Sequence, residues 1–146
     1  MYYTKMLSPA FSDTNGASHI DFSAYGDWFD RVRTYLYREM DPTLHFHPHG
    51  LVVVTTSILY HREASVLQSV ELRTWVTKIG RKSMETKQEC WQNGLKIATC
   101  QTVFCGFNTI KRVSEPLPQE YREAAAQYFW DKETSEETPN FGIGLF

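Results

Sequence analysis

The most strongly patterned part of the chain lies between residues 24 and 40. Large apolar residues recur there at intervals of three and four, which places them on one face of an α-helix. They are Tyr25, Trp28, Phe29, Val32, Tyr35, Leu36 and Met40. The pattern predicts a helix from Ala24 to Met40, with Ser23 as its N-cap and with Arg33 on its exposed face. Asp41-Pro42 is expected to end it.

Elsewhere the chain shows β-branched runs and alternating apolar and polar positions, which are typical of strands. Strands are predicted at Met1 to Ala10, Leu51 to Tyr60, Val70 to Ile79, Ser83 to Trp91 and Leu95 to Phe107. Asn93-Gly94, between the last two, is the strongest hairpin signal in the sequence. A short helix is predicted from Gln119 to Trp130.

The order of elements is therefore a strand, a long helix and then four strands in a meander, which is an α+β arrangement. The wide aromatic face of the helix needs an apolar surface, and one antiparallel sheet supplies it. We predict a long central helix wrapped by a curved antiparallel sheet of five or more strands. Residues 1–130 form a single domain in this interpretation. Residues 131–146, which end in the apolar FGIGLF, form a C-terminal tail.

Composition narrows the class of function. The 146 residues are 42% hydrophobic and carry a net charge of −2, which is typical of a globular protein. Because there is no excess of basic residues, we expect no nucleic-acid partner. Because there is no apolar run of membrane-spanning length and no signal-peptide core, we expect no membrane association and a cytoplasmic location.

The cysteines and the histidines of the HFHPH run are interpreted as structural or solvent-exposed residues without a catalytic or metal-binding role. Cys90, Cys100 and Cys105 contain no C-x-x-C pair and fall in predicted strands, so they are interpreted as buried reduced thiols. The histidines of the HFHPH run alternate, but they lack a carboxylate or cysteine partner at ligand spacing. They are His45, His47 and His49. We predict a solvated loop there and no metal site.

The polar loop from Ser12 to Ser23 is the candidate site. It runs directly into the long helix, whose N-terminus offers unpaired backbone N–H groups and a partial positive charge. A substrate carbonyl or an anion can be held at such a position, near the amides from Phe22 to Ala24.

The motif D-T-N-x-x-x-H-I-D-F-x-x-Y-x-x-W-F-D-x-x-R across this loop and helix resembles the hotdog-fold acyl-CoA thioesterases, in particular the 4-hydroxybenzoyl-CoA thioesterase-like family. Asp13, His19, Tyr25 and Arg33 fall in register with that signature. Three later segments also resemble family strands and the family's closing motif. They are VTKIGRKS, NGLKIATCQTVF and LPQEYRE, so that the resemblance covers about residues 3–123.

The resemblance implies hydrolysis of an acyl-CoA by a homodimer or tetramer, with coenzyme A as part of the substrate and no cofactor. One departure falls in the site, because Asn15 stands where the family has its catalytic Asp. An amide cannot accept a proton near neutral pH, although it can hold a water or the thioester carbonyl. His19 suits proton transfer. The missing base is then Asp21 or Glu63, although Asp21 can instead cap the helix and Glu63 can be a surface residue.

The remaining candidates are substrate-binding residues. Asp13 begins the loop and is also a natural turn or capping residue. Phe22, Ser23 and Tyr25 stand at the helix entrance, where Tyr25 is either core or part of an acyl tunnel. Arg81, Lys82 and Ser83 lie at a predicted turn between two strands. The resemblance implies that they contact the phosphates of coenzyme A, and the alternative is a solvated turn.

Two other classes of function remain open on the sequence. A hotdog dehydratase needs a His and a carboxylate at the helix or its lead-in, which His19 and Asp21 supply. A protein that binds acyl thioesters without hydrolysing them is compatible with Asn15. Release of free thiol from acyl-CoAs separates these alternatives from a thioesterase.

Overall fold

A computed structural model of the chain describes residues 1–16 and 19–131. The predicted C-terminal tail, apart from Asp131, lies outside the described residues. The elements in chain order are β1 (Tyr3–Leu7), a 3₁₀ turn (Phe11–Asp13), α1 (Phe22–Met40), β2 (His49–Tyr60), β3 (Val70–Ile79), β4 (Ser83–Gln92), β5 (Leu95–Asn108), β6 (Val113–Ser114) and α2 (Gln119–Ala126).

Helix α1 packs its apolar face against one antiparallel sheet. The strand order is β1-β3-β4-β5-β2. The short β6 pairs with the C-terminal end of β5, at Phe107 and Asn108. Trp28, Phe29 and Leu36 on the helix are fully buried, as are Val70 and Leu72 on β3. The predicted α+β fold, a long helix held by an antiparallel sheet of five or more strands, is confirmed.

The position of β2 corrects the predicted meander. Strands β3, β4 and β5 follow one another as hairpins, but β2 pairs with β5 and lies at the opposite edge from β1. Local alternation predicts a strand without identifying its neighbour, and so the order was wrong at this point. As a result, residues 61–69 form a crossover that leads from the edge strand β2, past β5 and β4, to β3.

The start of α1 also differs from the prediction. The helix begins at Phe22, and Asp21 is its N-cap, with its side chain accepting from the backbone N–H of Ser23. Ser23 lies inside the first turn and is therefore not the cap. Both residues have capping side chains, and the extended backbone of Asp21 decides between them.

Two side chains of α1 lie on faces that the pattern did not predict. Arg33 is buried, with 6% of its surface exposed, whereas Tyr35 is 45% exposed. Arg33 follows Phe29 by four residues and precedes Leu36 by three, so it lies on the buried face by helical geometry. Tyr35 lies at the margin of that face, where its ring contacts Lys5.

Other boundaries shift by small amounts, while β3 has the predicted limits. Strand β5 runs one residue further, α2 ends at Ala126 instead of Trp130, and β6 was not predicted. Beyond α2, Trp130 packs against Trp75 and Tyr2, so this segment covers the sheet without remaining helical. None of the helices in the described part of the chain is both long and apolar enough to span a bilayer.

Candidate active site

A cavity of about 210 Å³ opens at the N-terminal end of α1. Six residues line it: Asn15, His19, Ile20, Asp21, Phe22 and Glu63. All four residues that the sequence analysis proposed as catalytic are in this list. The structure therefore brings together side chains that are up to 48 positions apart, from Asn15 to Glu63.

The described residues of the polar loop, 12–16 and 19–23, form a small hydrogen-bonded unit that presents Asn15 and His19. The backbone N–H of Asn15 donates to the carbonyl of His19 at 3.1 Å, and Thr14 forms an isolated antiparallel bridge with Ile20. The N–H of Asp21 donates to the carbonyl of Asp13 at 2.8 Å. This arrangement holds the loop against the start of the helix.

Glu63 reaches the cavity from the crossover between β2 and β3. Its Oε1 contacts Nδ1 of His19, so the imidazole and the carboxylate form a direct pair. The side chains are 54% and 36% exposed, respectively, which leaves both accessible to a ligand. Since β2 lies beyond β5, the crossover passes the end of α1, and this topology places Glu63 opposite His19.

Asp21 lines the same cavity but its carboxylate is engaged. One oxygen, Oδ1, accepts from both the backbone N–H and the hydroxyl of Ser23, each at 2.9 Å. These bonds, with the backbone N–H the larger contributor, hold the pKa of Asp21 below its ordinary value. The carbonyl of Asp21 also accepts from the N–H of Ala24 at 3.0 Å. Two of the three amides expected to bind an oxyanion are therefore bonded to Asp21.

Asp13 has a local structural role. Its carboxylate accepts from the backbone N–H of Ala10 at 2.7 Å and so closes the 3₁₀ turn. It is not among the residues that line the cavity. The structure places it where a turn or capping residue belongs.

The aromatic residues beside the cavity divide into one exposed and two more buried rings. Phe22 is 56% exposed, and its ring packs against Tyr60 at a centroid distance of 4.7 Å. Tyr25 is fully buried beneath them, and its hydroxyl accepts from the backbone N–H of Ala64 at 3.3 Å. Burial raises the pKa of Tyr25 to about 12, so its hydroxyl stays protonated. Tyr25 thus joins α1 to the crossover and does not line the cavity.

Arg81, Lys82 and Ser83 form the β3–β4 turn at the other end of the sheet. Ser83 pairs with Cys105, whereas the site end of β5 is at Ala98, opposite Tyr60. These two positions on β5 are seven residues apart, or about 23 Å at the usual rise per residue. Within one chain, the turn and the cavity are therefore separated by most of the length of the sheet.

The cysteines are buried or half-buried, and two of the HFHPH histidines contact neighbouring polar side chains. Cys90 and Cys100 are buried and Cys105 is half-buried, and burial raises the pKa of the Cys90 thiol to about 12. Nδ1 of His49 lies 2.7 Å from Glu115, while His47 lies beside Thr109. Within residues 1–16 and 19–131, no group of three or more His, Cys, Asp or Glu side chains is arranged to hold a metal.

Two features of the site were not found from the sequence. Ile20 lines the cavity floor beside His19, and its burial is visible only once the Thr14–Ile20 bridge is known. Tyr60 contributes its ring beside Phe22 and donates from its hydroxyl to the carbonyl of Phe22 at 3.4 Å. Its place at the end of a predicted strand, just before the charged segment His61 to Glu63, is the signal that was available.

A sequence model of the thioesterase-like superfamily matches residues 9–125. A comparison with curated proteins gives no match. Among solved structures, a predicted thioesterase from Bacillus stearothermophilus superposes with a TM-score of 0.84 at 26% identity, over 89% of this chain and 98% of the other. A 1,4-dihydroxy-2-naphthoyl-CoA thioesterase from Synechocystis superposes with a TM-score of 0.77 at 17% identity, over 86% and 96%. A Thermus thermophilus thioesterase, in a complex with coenzyme A and Zn, gives 0.77 at 18% identity, over 86% and 92%.

The family match covers most of the chain, including the polar loop, α1 and the whole sheet from β2 to β5. The chain therefore belongs to the thioesterase-like superfamily. Its fold is the hotdog fold of these neighbours, as the sequence resemblance implied.

Proposed function

We propose that this protein is an acyl-CoA thioesterase that hydrolyses an acyl thioester to a carboxylic acid and free coenzyme A. The observation that carries the proposal is the His19–Glu63 pair, which faces a cavity with Asn15 at the start of α1. Membership of the thioesterase-like superfamily supports the reaction class. Structural neighbours crystallised with coenzyme A, from Thermus thermophilus and Staphylococcus aureus, support the choice of carrier.

In the proposed reaction His19 is the general base and Glu63 fixes its tautomer. The Glu63 carboxylate accepts a hydrogen bond from the Nδ1–H group, which leaves Nε2 unprotonated and able to take a proton from water. The water oxygen attacks the thioester carbon, and the side-chain amide of Asn15 donates to the developing oxyanion. The C–S bond then breaks, and the leaving sulfur takes the proton from His19. The reaction needs only water, these side chains and the substrate, so no cofactor is proposed.

Glu63 is favoured over Asp21 as the required carboxylate. Asp21 is bonded to Ser23 through Oδ1 and stabilises the start of the helix. A carboxylate with a lowered pKa is a weaker proton acceptor. Glu63 instead makes its contact with the imidazole that would carry the proton. We propose that the rings of Phe22 and Tyr60, which pack together beside the cavity, lie against the acyl group.

The direct test is thiol release from purified protein and acyl-CoAs that differ in length and aromatic character. Catalytic release that is lost in His19→Gln supports the proposal. Binding without release would indicate an acyl-thioester-binding protein, for which Asn15 in place of the family Asp would be the reason. A change in unsaturation with the thioester intact would indicate a dehydratase. Either of the last two outcomes contradicts hydrolysis.

We further propose that the active protein is a homodimer or a larger homo-oligomer joined through β2. One side of β2 pairs with β5, and no strand in the described part of the chain pairs with its other edge. Val52, Val53 and Val54 on this strand are 39–56% exposed. An exposed apolar edge is normally paired or protected. A second copy that pairs antiparallel with β2 would cover it.

Such pairing would also complete the substrate site. An antiparallel partner places the His49 end of its β2 beside the Tyr60 end of the first copy. The second copy's Arg81 and Lys82 then approach the first copy's cavity, although they are about 23 Å away within one chain. We propose that they bind the phosphates of coenzyme A, as the resemblance implied.

Two double variants, the first with a single-substitution control, test the assembly and the phosphate contact. Val52→Lys with Val54→Lys should give a monomer in light scattering, whereas Met6→Lys on the other sheet edge should keep the oligomer. Arg81→Ala with Lys82→Ala should raise KM for an acyl-CoA and leave KM for the matching acyl-pantetheine unchanged. An equal rise for both substrates would contradict phosphate binding. We also propose the cytoplasm as the place of action.

A further inference from the structure

Gln92, the last residue of β4, holds the crossover that carries Glu63. Its side chain is buried, with 6% of the residue exposed. Oε1 accepts from the backbone N–H of Ser65 at 2.8 Å. Nε2 donates to the carbonyls of Ser65 at 2.9 Å and of Gln68 at 3.0 Å. One side-chain amide thus binds three backbone groups of a segment that belongs to no strand.

The contact with Ser65 has the form of a strand pairing. The amide of Gln92 exchanges hydrogen bonds with both the N–H and the C=O of Ser65, as a neighbouring strand residue would. Ser65 is two residues after Glu63. The residue between them, Ala64, donates its N–H to the buried hydroxyl of Tyr25. The crossover is therefore fixed immediately after Glu63.

The crossover is also held immediately before Glu63. The backbone N–H groups of His61 and Arg62 both donate to the carbonyl of Ile97, at 2.8 and 3.1 Å. Glu63 thus stands between two anchored stretches, and its carboxylate projects to His19. The anchor before Glu63 is made by backbone atoms, so it survives side-chain substitution. The anchor after it depends chiefly on Gln92.

We propose that Gln92 is a positioning residue, which fixes the crossover at Ser65 and Gln68 so that the Glu63 carboxylate faces His19. Its effect on catalysis rests on the proposed function, whereas its effect on the His19–Glu63 pair does not. Without the amide, water can solvate the exposed backbone at Gln68, and the crossover can move away from the sheet. A displacement of about 1 Å at a catalytic group can cost about 100-fold in rate.

The kinetic test uses Gln92→Met, which keeps the volume and removes all three hydrogen bonds. Its matched control is Gln88→Met, since Gln88 is a fully buried amide on the same strand, bonded to Phe29 and Thr74. Gln92→Met should lower kcat by about 10- to 100-fold and change KM by less than about 3-fold. Gln88→Met should keep kcat within about 3-fold. It should also lower Tm at least as much, because it takes an acceptor from Arg33.

The inference is overturned if both variants lose activity equally, or if Gln92→Met loses thermal stability and keeps the wild-type kcat. Either result would give Gln92 a structural role alone.

A second readout does not depend on activity. The ¹H–¹⁵N signals of the His19 ring, assigned with His19→Gln, report its contact with Glu63. Gln92→Met should shift them toward the positions seen in Glu63→Gln, whereas Gln88→Met should leave them in place. Unchanged signals in Gln92→Met would overturn the inference. If the wild type releases no thiol from any acyl-CoA, the proposed function fails, and the spectra still decide the role of Gln92.

Discussion

Arg33 on α1 donates a hydrogen bond of 2.8 Å from Nη1 to the side-chain carbonyl of Gln88 on β4, beneath the helix. The same nitrogen donates to Thr102 on β5 at 3.2 Å, and Nε donates to the hydroxyl of Tyr37. The charged partner, Asp30, is itself 66% exposed. A guanidinium is therefore held inside the helix–sheet interface mainly by neutral acceptors, and α1 is locked in register on the sheet.

Arg33→Ala should lower the free energy of unfolding by about 2–4 kcal/mol, because it opens a cavity and leaves buried acceptors unpaired. Arg31, on the same helix, makes an exposed i,i+4 pair with Asp27. Arg31→Ala should cost less than about 0.5 kcal/mol. Urea unfolding measures both. Similar losses for the two variants would mean that the buried cluster contributes little.

Glu63→Gln should reduce kcat by about 10²- to 10⁴-fold, because a neutral amide does not stabilise the positive charge that His19 acquires when it takes a proton from water. Asp21→Asn should retain kcat within about threefold, because Asn is also a good N-cap. Steady-state thiol release with one acyl-CoA compares the two. The opposite ranking would identify Asp21 as the required carboxylate.

The stability of the fold should decrease in mild acid through His61. Burial, and next the cation of Lys96, lower the pKa of His61, while Glu89 opposes them. As the pH falls through about 6.5, the unfolded chain binds a proton that the folded chain does not bind. The free energy of unfolding then decreases. Above that pH range His61 is neutral in both states, so it causes no such decrease.

His61→Gln should remove this pH-dependent loss. The free energy of unfolding of the variant should therefore fall less than that of the wild type between about pH 7.5 and 5.5. Urea unfolding across that range measures the slope. Parallel curves for the two proteins would show that His61 does not contribute.

Two glycine substitutions should have opposite effects on stability. Among the described residues, an added Cβ at Gly26 in α1 would meet Ile58 alone, at 3.9 Å, so Gly26→Ala should stabilise by about 0.5–1 kcal/mol. A Cβ at Gly106 in β5 would clash with the carbonyl oxygen of Glu115, so Gly106→Ala should destabilise by more than about 1 kcal/mol. Thermal unfolding distinguishes them. A fall in Tm for Gly26→Ala would reveal a close neighbour of α1 other than Ile58.

The sequence pattern predicted the local elements well, because they depend on neighbouring residues. The limits of β3 and the hairpin at Asn93-Gly94 follow from alternation and turn chemistry. The place of β2 and the burial of Arg33 depend on partners at least 38 residues away, which alternation does not specify. Most of the candidate site could be predicted because its residues are close together in the sequence. The polar loop adjoins the helix start, and the family resemblance supplied Glu63.

The edge position of β2 also bears on the order in which the molecule folds. The β3–β4 and β4–β5 hairpins close short loops, whereas β2 pairs with β5 between residues that are 38 to 59 positions apart, from Tyr60–Ala98 to His49–Asn108. Closing longer loops costs more entropy and slows folding. Glu63 follows directly after β2, so its contact with His19 awaits that pairing. Catalytic competence should therefore be among the last properties to return on refolding, after most of the β-sheet signal.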